Sequence, residues 1–368
     1  MNIPKLRFKD NNGNDYPQWE KKLIKDILKI YHGKDYKNEP NEKKLYPVLG
    51  TGGIITYIDK FLCDWECVLI GRKGTINKPQ YMKTPFWSVD TLFYSKPKLK
   101  QNPKFQYYLF QNINWKIYDE STGVPSLSAS TIEHINRFIP TYAEQEKIAS
   151  FFSTIDKKIE NLENTITSLE NQKKGLLQQI FSQKLRFKDE NGNNYPNWEK
   201  KKLGDIFTIK AGGDICKENF SKQYSSEFKY PIYANALTNK GLYGYSNIYK
   251  IDKPSITVTG RGDVGFALSR KPFYYPIVRL LVLIPNININ FTFFTESINF
   301  IHIFNESTGV PQLTAPQLSK VNVYVPNIEE QNKIGNLFDK LNEKIDNKKA
   351  QLEHWKQIKK GLLQQMFV

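Results

Sequence analysis

The amino-acid sequence contains the same frame twice. Residues 5–27 read KLRFKDNNGNDYPQWEKKLIKDI and residues 184–206 read KLRFKDENGNNYPNWEKKKLGDI, which are identical at 17 of 23 positions. A second pair of repeats opens with ESTGVP at Glu120 and Glu306 and runs into EQ-x-KI, and both copies end in KGLLQQ-x-F. The stretches between the repeats, which we call the inserts, barely match. A duplicated frame with divergent inserts predicts one scaffold used twice to hold two different recognition regions.

The charge of the chain favours a polyanionic partner. With 368 residues and 39% hydrophobic content, the chain is long enough for two domains with separate cores. Its 53 basic and 37 acidic side chains give a net charge of +16, which points to nucleic acid more than to general solubility. The charged N-terminus lacks a secretory apolar segment, and the longest apolar run, at 280–284, is far shorter than the roughly 20 residues of a membrane span. We therefore expect a cytoplasmic protein without membrane contact.

Two long helices are predicted at the ends of the two halves. Apolar residues recur there at steps of four and three, which is the pattern of a coiled-coil seam. A helix over residues 144–181 would be on the order of 55 Å long at 1.5 Å per residue. An intramolecular antiparallel pair is the simplest arrangement, and packing of each helix on other domains is the alternative. The seams are Ile148, Phe152, Ile155, Ile159, Leu162, Ile166, Leu169, Leu176 and Ile180, interrupted by Lys173, and Ile334, Phe338, Leu341, Ile345, Leu352, Trp355, Leu362 and Met366, interrupted by Lys348 and Lys359.

The inserts have the composition of mixed α/β domains with more strand than helix. Around residues 67–71 and 256–260, β-branched runs lead into glycine turns. Both turns are basic, and each lies downstream of a Tyr-Pro pair and a second polar loop. The fold class expected is therefore α+β, with two globular mixed α/β domains, two long antiparallel coiled-coil helices and a pseudo-two-fold internal repeat.

The sequence contains strings that resemble catalytic or cofactor motifs, but each lacks residues that the motif requires. Gly260-x-Gly262-x-x-Gly265 matches the dinucleotide fingerprint as a string, but prolines follow where its helix should run and no acidic residue stands at the ribose distance. The three cysteines and four histidines are not placed at zinc-ligand spacing. A non-catalytic chain with no metal and no cofactor of its own is expected.

In its order of motifs, the whole chain resembles the specificity subunits of type I restriction-modification systems. The resemblance rests on the duplication, the Gly-Val-Pro segments at 123–125 and 309–311, the Glu-Gln-x-Lys-Ile entries into the long helices and the KGLLQQ-x-F ends. It implies target-recognition domains at residues 1–143 and 184–328, each reading half of a split site in double-stranded DNA, with spacer helices at 144–183 and 329–368. It further implies docking of two methyltransferase subunits that carry S-adenosylmethionine, and of motor-nuclease subunits that use ATP and Mg²⁺.

Loop residues of the inserts are the candidates for DNA contact. Arginine can form a paired hydrogen bond with guanine and asparagine with adenine, so we predict base readout by Arg72, Arg261, Asn77 and Asn235. The alternative for each is a solvated turn residue. Phosphate or base-edge contacts are predicted for Thr51, Gly52, Gly53, Lys73, Thr75 and Lys240.

Apolar residues off the helix seams are the candidates for methyltransferase docking, namely Phe151, Leu177, Ile358 and Leu363. Two other classes remain open from the sequence. One is a duplicated coiled-coil adaptor whose inserts bind proteins, and its binding would lack the steep salt dependence of phosphate contacts. The other, a fused methyltransferase-specificity chain, is disfavoured because two domains and two helices occupy the whole length.

Overall fold

A computed structural model describes residues 4–301, 303 and 312–367. The chain divides into two compact units, unit 1 of residues 1–163 with 350–368 and unit 2 of residues 164–349. Each unit thus holds one insert and parts of both long helices. In unit 1 the strands are β1 (Glu20–Leu23), β2 (Leu28–Tyr31), β3 (Tyr46–Gly50), β4 (Gly53–Ile58), β5 (Cys67–Gly71), β6 (Gln80–Met82), β7 (Trp87–Ser88), β8 (Leu92–Pro97) and β9 (Asn136–Ile139), and the short helices are α1 (Ile24–Ile27), α2 (Pro103–Asn112) and α3 (Ala129–Glu133).

The first long helix, α4 (Tyr142–Phe181), begins in unit 1 and ends in unit 2, and the second, α8 (Ile328–Met366), begins in unit 2 and ends in unit 1. The remaining elements of unit 2 are the strands β10 (Glu199–Lys202), β11 (Phe207–Ala211), β12 (Phe220–Ser221), β13 (Tyr230–Tyr233), β14 (Leu242–Ser246), β15 (Ser255–Val258), β16 (Ala267–Arg270), β17 (Tyr275–Pro276), β18 (Leu281–Pro285) and β19 (Asn322–Val325), and the helices α5 (Leu203–Ile206), α6 (Phe291–Ile301) and α7 (Ala315–Ser319).

The two units share one sheet plan. Unit 1 has a four-stranded antiparallel sheet in the order β2-β8-β5-β6, and unit 2 has its counterpart in the order β11-β18-β15-β16. A smaller sheet follows the order β4-β3-β7 in unit 1 and β12-β14-β13-β17 in unit 2, with its last pair parallel in both. The predicted α+β fold with an internal repeat is confirmed.

A buried ion pair explains why the frame is repeated almost unchanged. In unit 1 the guanidinium of Arg7 donates to both carboxylate oxygens of Glu144, at 3.1 and 2.7 Å, and the indole of Trp19 donates to the same carboxylate at 3.1 Å. Glu144 is fully buried, so its charge needs these partners. Unit 2 repeats the arrangement with distances of 3.2, 2.7 and 3.0 Å among Arg186, Glu330 and Trp198.

The glutamine of each Glu-Gln pair fastens the insert to the start of the long helix. The Gln145 amide donates to the Pro140 carbonyl at 3.0 Å and its oxygen accepts from the Asn102 backbone N–H, also at 3.0 Å. The repeated Pro-x-x-x-x-Gln spacing therefore meets a geometric need at the base of the insert. In unit 2 the corresponding residues are Gln331, Pro326 and Asn290, with distances of 2.9 and 3.1 Å.

The KGLLQQ-x-F ends complete the cores of the units. The ring of Phe367 packs against Trp19 and Phe105 in unit 1, and that of Phe181 packs against Trp198 and Phe293 in unit 2. The long helices run antiparallel within each unit: in unit 1 Lys359 pairs with Asp156 and Lys356 with Glu163, so numbers fall along α8 as they rise along α4. In most of its positions the predicted seam is buried, as at Ile148, Phe152, Ile155, Leu162, Ile166, Leu169, Ile180, Ile334, Phe338, Ile345 and Met366.

Two of the lysines that interrupt the seams, Lys359 and Lys173, pair with acidic side chains. In unit 1 the Asp156 carboxylate on α4 receives Lys359 at 2.7 Å and the Tyr108 hydroxyl at 2.7 Å. In unit 2 the acid is on α6 instead: Glu296 receives Lys173 at 2.6 Å and the Asn342 amide at 3.1 Å. Each unit thus pairs one seam lysine with one acid, but the acid lies on different elements.

Burial removes one predicted docking residue. Leu363 belongs to the core of unit 1, so its side chain is not available to a partner, because the last turns of α8 pack beneath the insert. Phe151 and Leu177 are partly buried against the cores of units 1 and 2, and Ile358 is half-buried. In the described part of the chain, no helix is long and apolar enough to cross a membrane.

Candidate nucleic-acid interface

In unit 1 two of the predicted loops meet. The turn between β3 and β4 contains Thr51 and Gly52, and its carbonyl at Gly50 accepts from the Gln80 amide of β6 at 2.8 Å. A side-chain carbon at Gly74, in the loop after β5, would lie 4.0 Å from the Thr51 hydroxyl. Thr51, Gly52, Gly53, Arg72, Lys73 and Thr75 therefore form one cluster, in which Gly52, Arg72 and Lys73 are exposed, and exposed Asn77 follows it.

The loop after β5 closes tightly on itself. A side chain at Gly71 would place its first carbon 2.2 Å from the Thr75 carbonyl oxygen, so only glycine fits there. The backbone N–H groups of Arg72 and Lys73 donate to the Thr91 carbonyl at 2.8 and 3.2 Å, and the Arg72 guanidinium reaches the Asp90 carbonyl at 3.3 Å. The loop is thereby held against the turn before β8, with its basic side chains at the surface.

The Gly-Val-Pro segment of the frame lies beside this loop. The Gly74 N–H donates to the Pro125 carbonyl and the Leu127 N–H to the Arg72 carbonyl, each at 2.8 Å. The Asp119 carboxylate accepts the backbone N–H groups of Ser126 and Ser121, and these hydrogen bonds hold the pKa of that carboxyl below its usual value. The frame therefore positions the variable loop directly.

Unit 2 builds its loop by the same contact. The Leu313 N–H donates to the Gly260 carbonyl at 2.9 Å, and Arg261 forms a β-bridge with Gln312, as Lys73 does with Ser126. The structural equivalent of Arg261 is therefore Lys73, and that of Arg72 is Gly260. The second Gly-Val-Pro segment, at 309–311, lies outside the described residues.

The side-chain amide of Asn235 forms hydrogen bonds within unit 2. Its amide oxygen accepts from the Gly260 N–H at 2.7 Å, and its amide nitrogen donates to the Val278 carbonyl. The amide is thus used to join the two loops, and we replace its predicted role in base readout with one in loop positioning. Lys240, at the other end of the same turn, is exposed and its ammonium pairs with Asp346 of α8 at 3.2 Å.

Sequence reasoning missed Arg279. Val278 and Arg279 have φ angles of 51° and 60°, which is rare for residues other than glycine and strained for a β-branched valine. Both side chains are exposed, and the Arg279 carbonyl oxygen lies 3.0 Å from the position of a side-chain carbon on Gly260. Arg279 therefore flanks the Arg261 loop. No sequence signal indicated this, because the turn between β17 and β18 is distant in sequence from the Arg261 loop.

Exposed apolar residues near the loops form a second missed feature. Ile54 and Ile55 follow the Thr51–Gly53 turn and are 57% and 54% exposed, and Tyr57 is 42% exposed. In and around the small sheet of unit 2, several exposed residues are aromatic and lysines lie near them, namely Tyr224, Tyr243, Tyr249, Phe273, Lys222 and Lys229.

No metal centre accompanies these loops. Among residues 4–301, 303 and 312–367 there is no group of three or more His, Cys, Asp or Glu side chains placed to hold an ion.

Comparison with known proteins identifies the family. The type I restriction modification DNA specificity domain matches residues 16–171 and 195–356. A protein named as a type I specificity subunit of Mycoplasma pneumoniae is 26% identical over 86% of this chain and 88% of its own length. The specificity subunit of the type I restriction enzyme MjaVIII from Methanocaldococcus jannaschii is 22% identical over 97% and 94%. The crystal structure of a type I S subunit from M. genitalium superposes with a TM-score of 0.73 at 20% identity, covering 100% and 99% of the two chains.

The chain therefore belongs to the family of type I restriction-modification DNA specificity subunits. It contains two specificity domains and recognises DNA sequence without catalysing a reaction.

Proposed function

We propose that each insert reads one half of a bipartite DNA site and that the two long helices fix the gap between the halves. One observation carries this proposal. The same frame, built on the same buried ion pair, holds two different basic loops at equivalent places, as the Lys73–Ser126 and Arg261–Gln312 bridges demonstrate. Two equivalent supports with unlike side chains suit a target whose two halves differ in sequence.

The chemistry of the loops suggests how bases are distinguished. Arg261, Arg279 and Arg72 can each donate a paired hydrogen bond to guanine in the major groove, whereas Lys73 offers a single ammonium. Exposed Ile54 and Ile55 are suited to apolar contact with a thymine methyl group. Phosphate contacts by the lysines, with Thr51, Gly52, Gly53 and Thr75, would supply most of the affinity.

The helices and their partners complete the proposed assembly. At about 1.5 Å per residue, 40 residues of α4 span roughly 60 Å, enough to separate two half-sites by at least one ~34–36 Å DNA turn. We propose that two methyltransferase subunits carrying S-adenosylmethionine dock on this chain, by contacts that include Phe151, Leu177 and Ile358. Motor-nuclease subunits using ATP and Mg²⁺ would join them. A second solved structure with a TM-score of 0.54, at 12% identity, comes from work on complex assembly of a type I system.

A genome-wide map of methylated bases tests the proposal. Cells expressing this chain with its methyltransferase should show a split motif with a fixed gap, and cells without the chain should not. Arg261→Ala should relax one half of the motif and Lys73→Ala the other, by about 1–3 kcal/mol for a base contact. Lys25→Ala, which removes an exposed lysine from the frame, is the matched control and should leave both halves unchanged. A motif that keeps both halves in all three variants would contradict the assignment of these loops.

A further inference from the structure

Two ion pairs between the long helices have a polarity that the repeat does not require. In unit 1 Lys356 of α8 pairs with Glu163 of α4 at 2.7 Å, and in unit 2 Lys349 of α8 pairs with Glu170 of α4 at 2.6 Å. Both carboxylates lie on α4 and both ammonium groups on α8. Glu163 and Lys349 occupy equivalent places in the repeat, since they are 186 positions apart, as Ile148 and Ile334 are; Glu170 and Lys356 are equivalent by the same offset.

The equivalence reveals what each helix would meet in a copy of itself. Because position 163 of α4 corresponds to 349 of α8, an α4–α4 pair in the same register would place Glu163 opposite Glu170 twice. An α8–α8 pair would place Lys349 opposite Lys356 twice. Like charges at such contacts are destabilising, whereas the pairing present in the chain makes both contacts attractive.

The apolar contacts alone discriminate weakly between these pairings. The helix ends that complete the two cores, KGLLQQIF and KGLLQQMF, differ at one position, and both cores receive them on a tryptophan of the same frame. A helix end from a second chain would therefore pack into nearly the same core site. We propose that Glu163, Glu170, Lys349 and Lys356 select α4–α8 pairing and oppose the assembly of two chains through α4–α4 or α8–α8 pairs.

The proposal is tested in the full chain by exchanging the charges of one glutamate on α4 and one lysine on α8. Glu170→Lys/Lys356→Glu keeps the net charge and the seam, but makes both contacts within the chain repulsive and all contacts of the self-pairs attractive. Glu163→Lys/Lys356→Glu is the matched control, because it makes every contact attractive in either pairing. Each protein is refolded from urea at low salt, and its mass in solution and its thermal midpoint are measured.

The Glu170→Lys/Lys356→Glu variant, which we call the crossed variant, should shift the ratio of two-chain to one-chain species by at least about tenfold toward two chains. The remaining monomer should have a lowered thermal midpoint. The shift should fade at about 1 M salt, where the Debye length is roughly 3 Å. The control should keep the wild-type midpoint. A crossed variant with the wild-type mass distribution and midpoint would overturn the proposal.

If the crossed variant aggregates at both salt concentrations, the two-chain fraction of the control variant decides between the outcomes. Since the control no longer penalises self-pairing, a raised two-chain fraction relative to wild type supports the proposal, and a wild-type fraction refutes it. The test does not depend on DNA recognition, because neither variant alters an insert.

Discussion

The two units keep the buried ion-pair cluster of the frame unchanged but differ in the loops that the frame positions. The Arg7–Glu144–Trp19 cluster of unit 1 recurs in unit 2 with distances that differ by about 0.1 Å. By contrast, the turn before β8 in unit 1 is Asp90–Thr91, and the equivalent turn before β18 in unit 2 is Val278–Arg279. Buried charge tolerates little change because each partner is needed, whereas an exposed loop is constrained chiefly by its backbone contacts.

The ion pairs of the seam lysines are retained between the two units, but their acidic residues are not equivalent. The acid that neutralises the seam lysine is Asp156 on α4 in unit 1 and Glu296 on α6 in unit 2. The interaction is retained while its residues are not. Evolution of the inserts is thus compatible with a constant helix pair as long as one carboxylate reaches each lysine.

The largest expected effect comes from breaking the frame. Glu144→Ala and Glu330→Ala should each lower the free energy of unfolding of their unit by about 3–5 kcal/mol, because a partly buried guanidinium loses its partner. The two losses should be similar, since the clusters are alike. Urea unfolding measures both, and a difference of more than about 2 kcal/mol between them would contradict the equivalence of the units.

A smaller effect is expected from moving the acid of unit 1. Asp156→Asn removes the partner of Lys359, which is largely buried, and should cost roughly 1–3 kcal/mol. Adding Tyr108→Glu creates the arrangement of unit 2, so Tyr108→Glu/Asp156→Asn should cost less than the sum of the two single substitutions, although Tyr108→Glu also removes a buried ring. A double-mutant cycle in thermal or urea unfolding measures the coupling. If the two substitutions add without recovery, the arrangements of the two units are not interchangeable.

The smallest effect concerns two exposed aspartates of the frame. Backbone N–H groups of Asn14 and Asn193, together with those of Asn12 and Asn191, hold the pKa values of Asp10 and Asp189 below the usual 3.8. A lowered pKa means that the carboxylates stabilise the folded chain above about pH 4 and lose this contribution as pH falls through the folded pKa. NMR titration should give both a similar low pKa, and Asn14→Pro, which removes one N–H donor, should raise that of Asp10 alone.

Much of the architecture was predictable because it depends on local periodicity and repetition. The seam spacing gave both long helices to within two residues, and the duplicated frame gave the internal repeat. The predicted division into domains at 1–143, 144–183, 184–328 and 329–368 stays a prediction, and the compact units instead combine each insert with parts of both helices.

The candidate interface was predictable only in part. Glycine and basic residues indicated the turns after β3 and β5, because tight turns have a sequence signature, but not that these two turns meet. The equivalence of Arg261 with Lys73, the use of the Asn235 amide as a link between loops and the presence of Arg279 beside them all depend on contacts between segments far apart in sequence. No local pattern encodes such contacts.

The sequence by itself determined the repeat, the helices and the basic, non-catalytic character of the chain, since these follow from spacing and composition. Only the tertiary structure decided which charges are buried and paired, which acid serves each seam lysine and which basic side chains reach the surface together. The physical reason is that desolvation and ion pairing depend on neighbours in space. In this protein some of those neighbours come from the opposite half of the chain, as Lys359 with Asp156 and Lys173 with Glu296 illustrate.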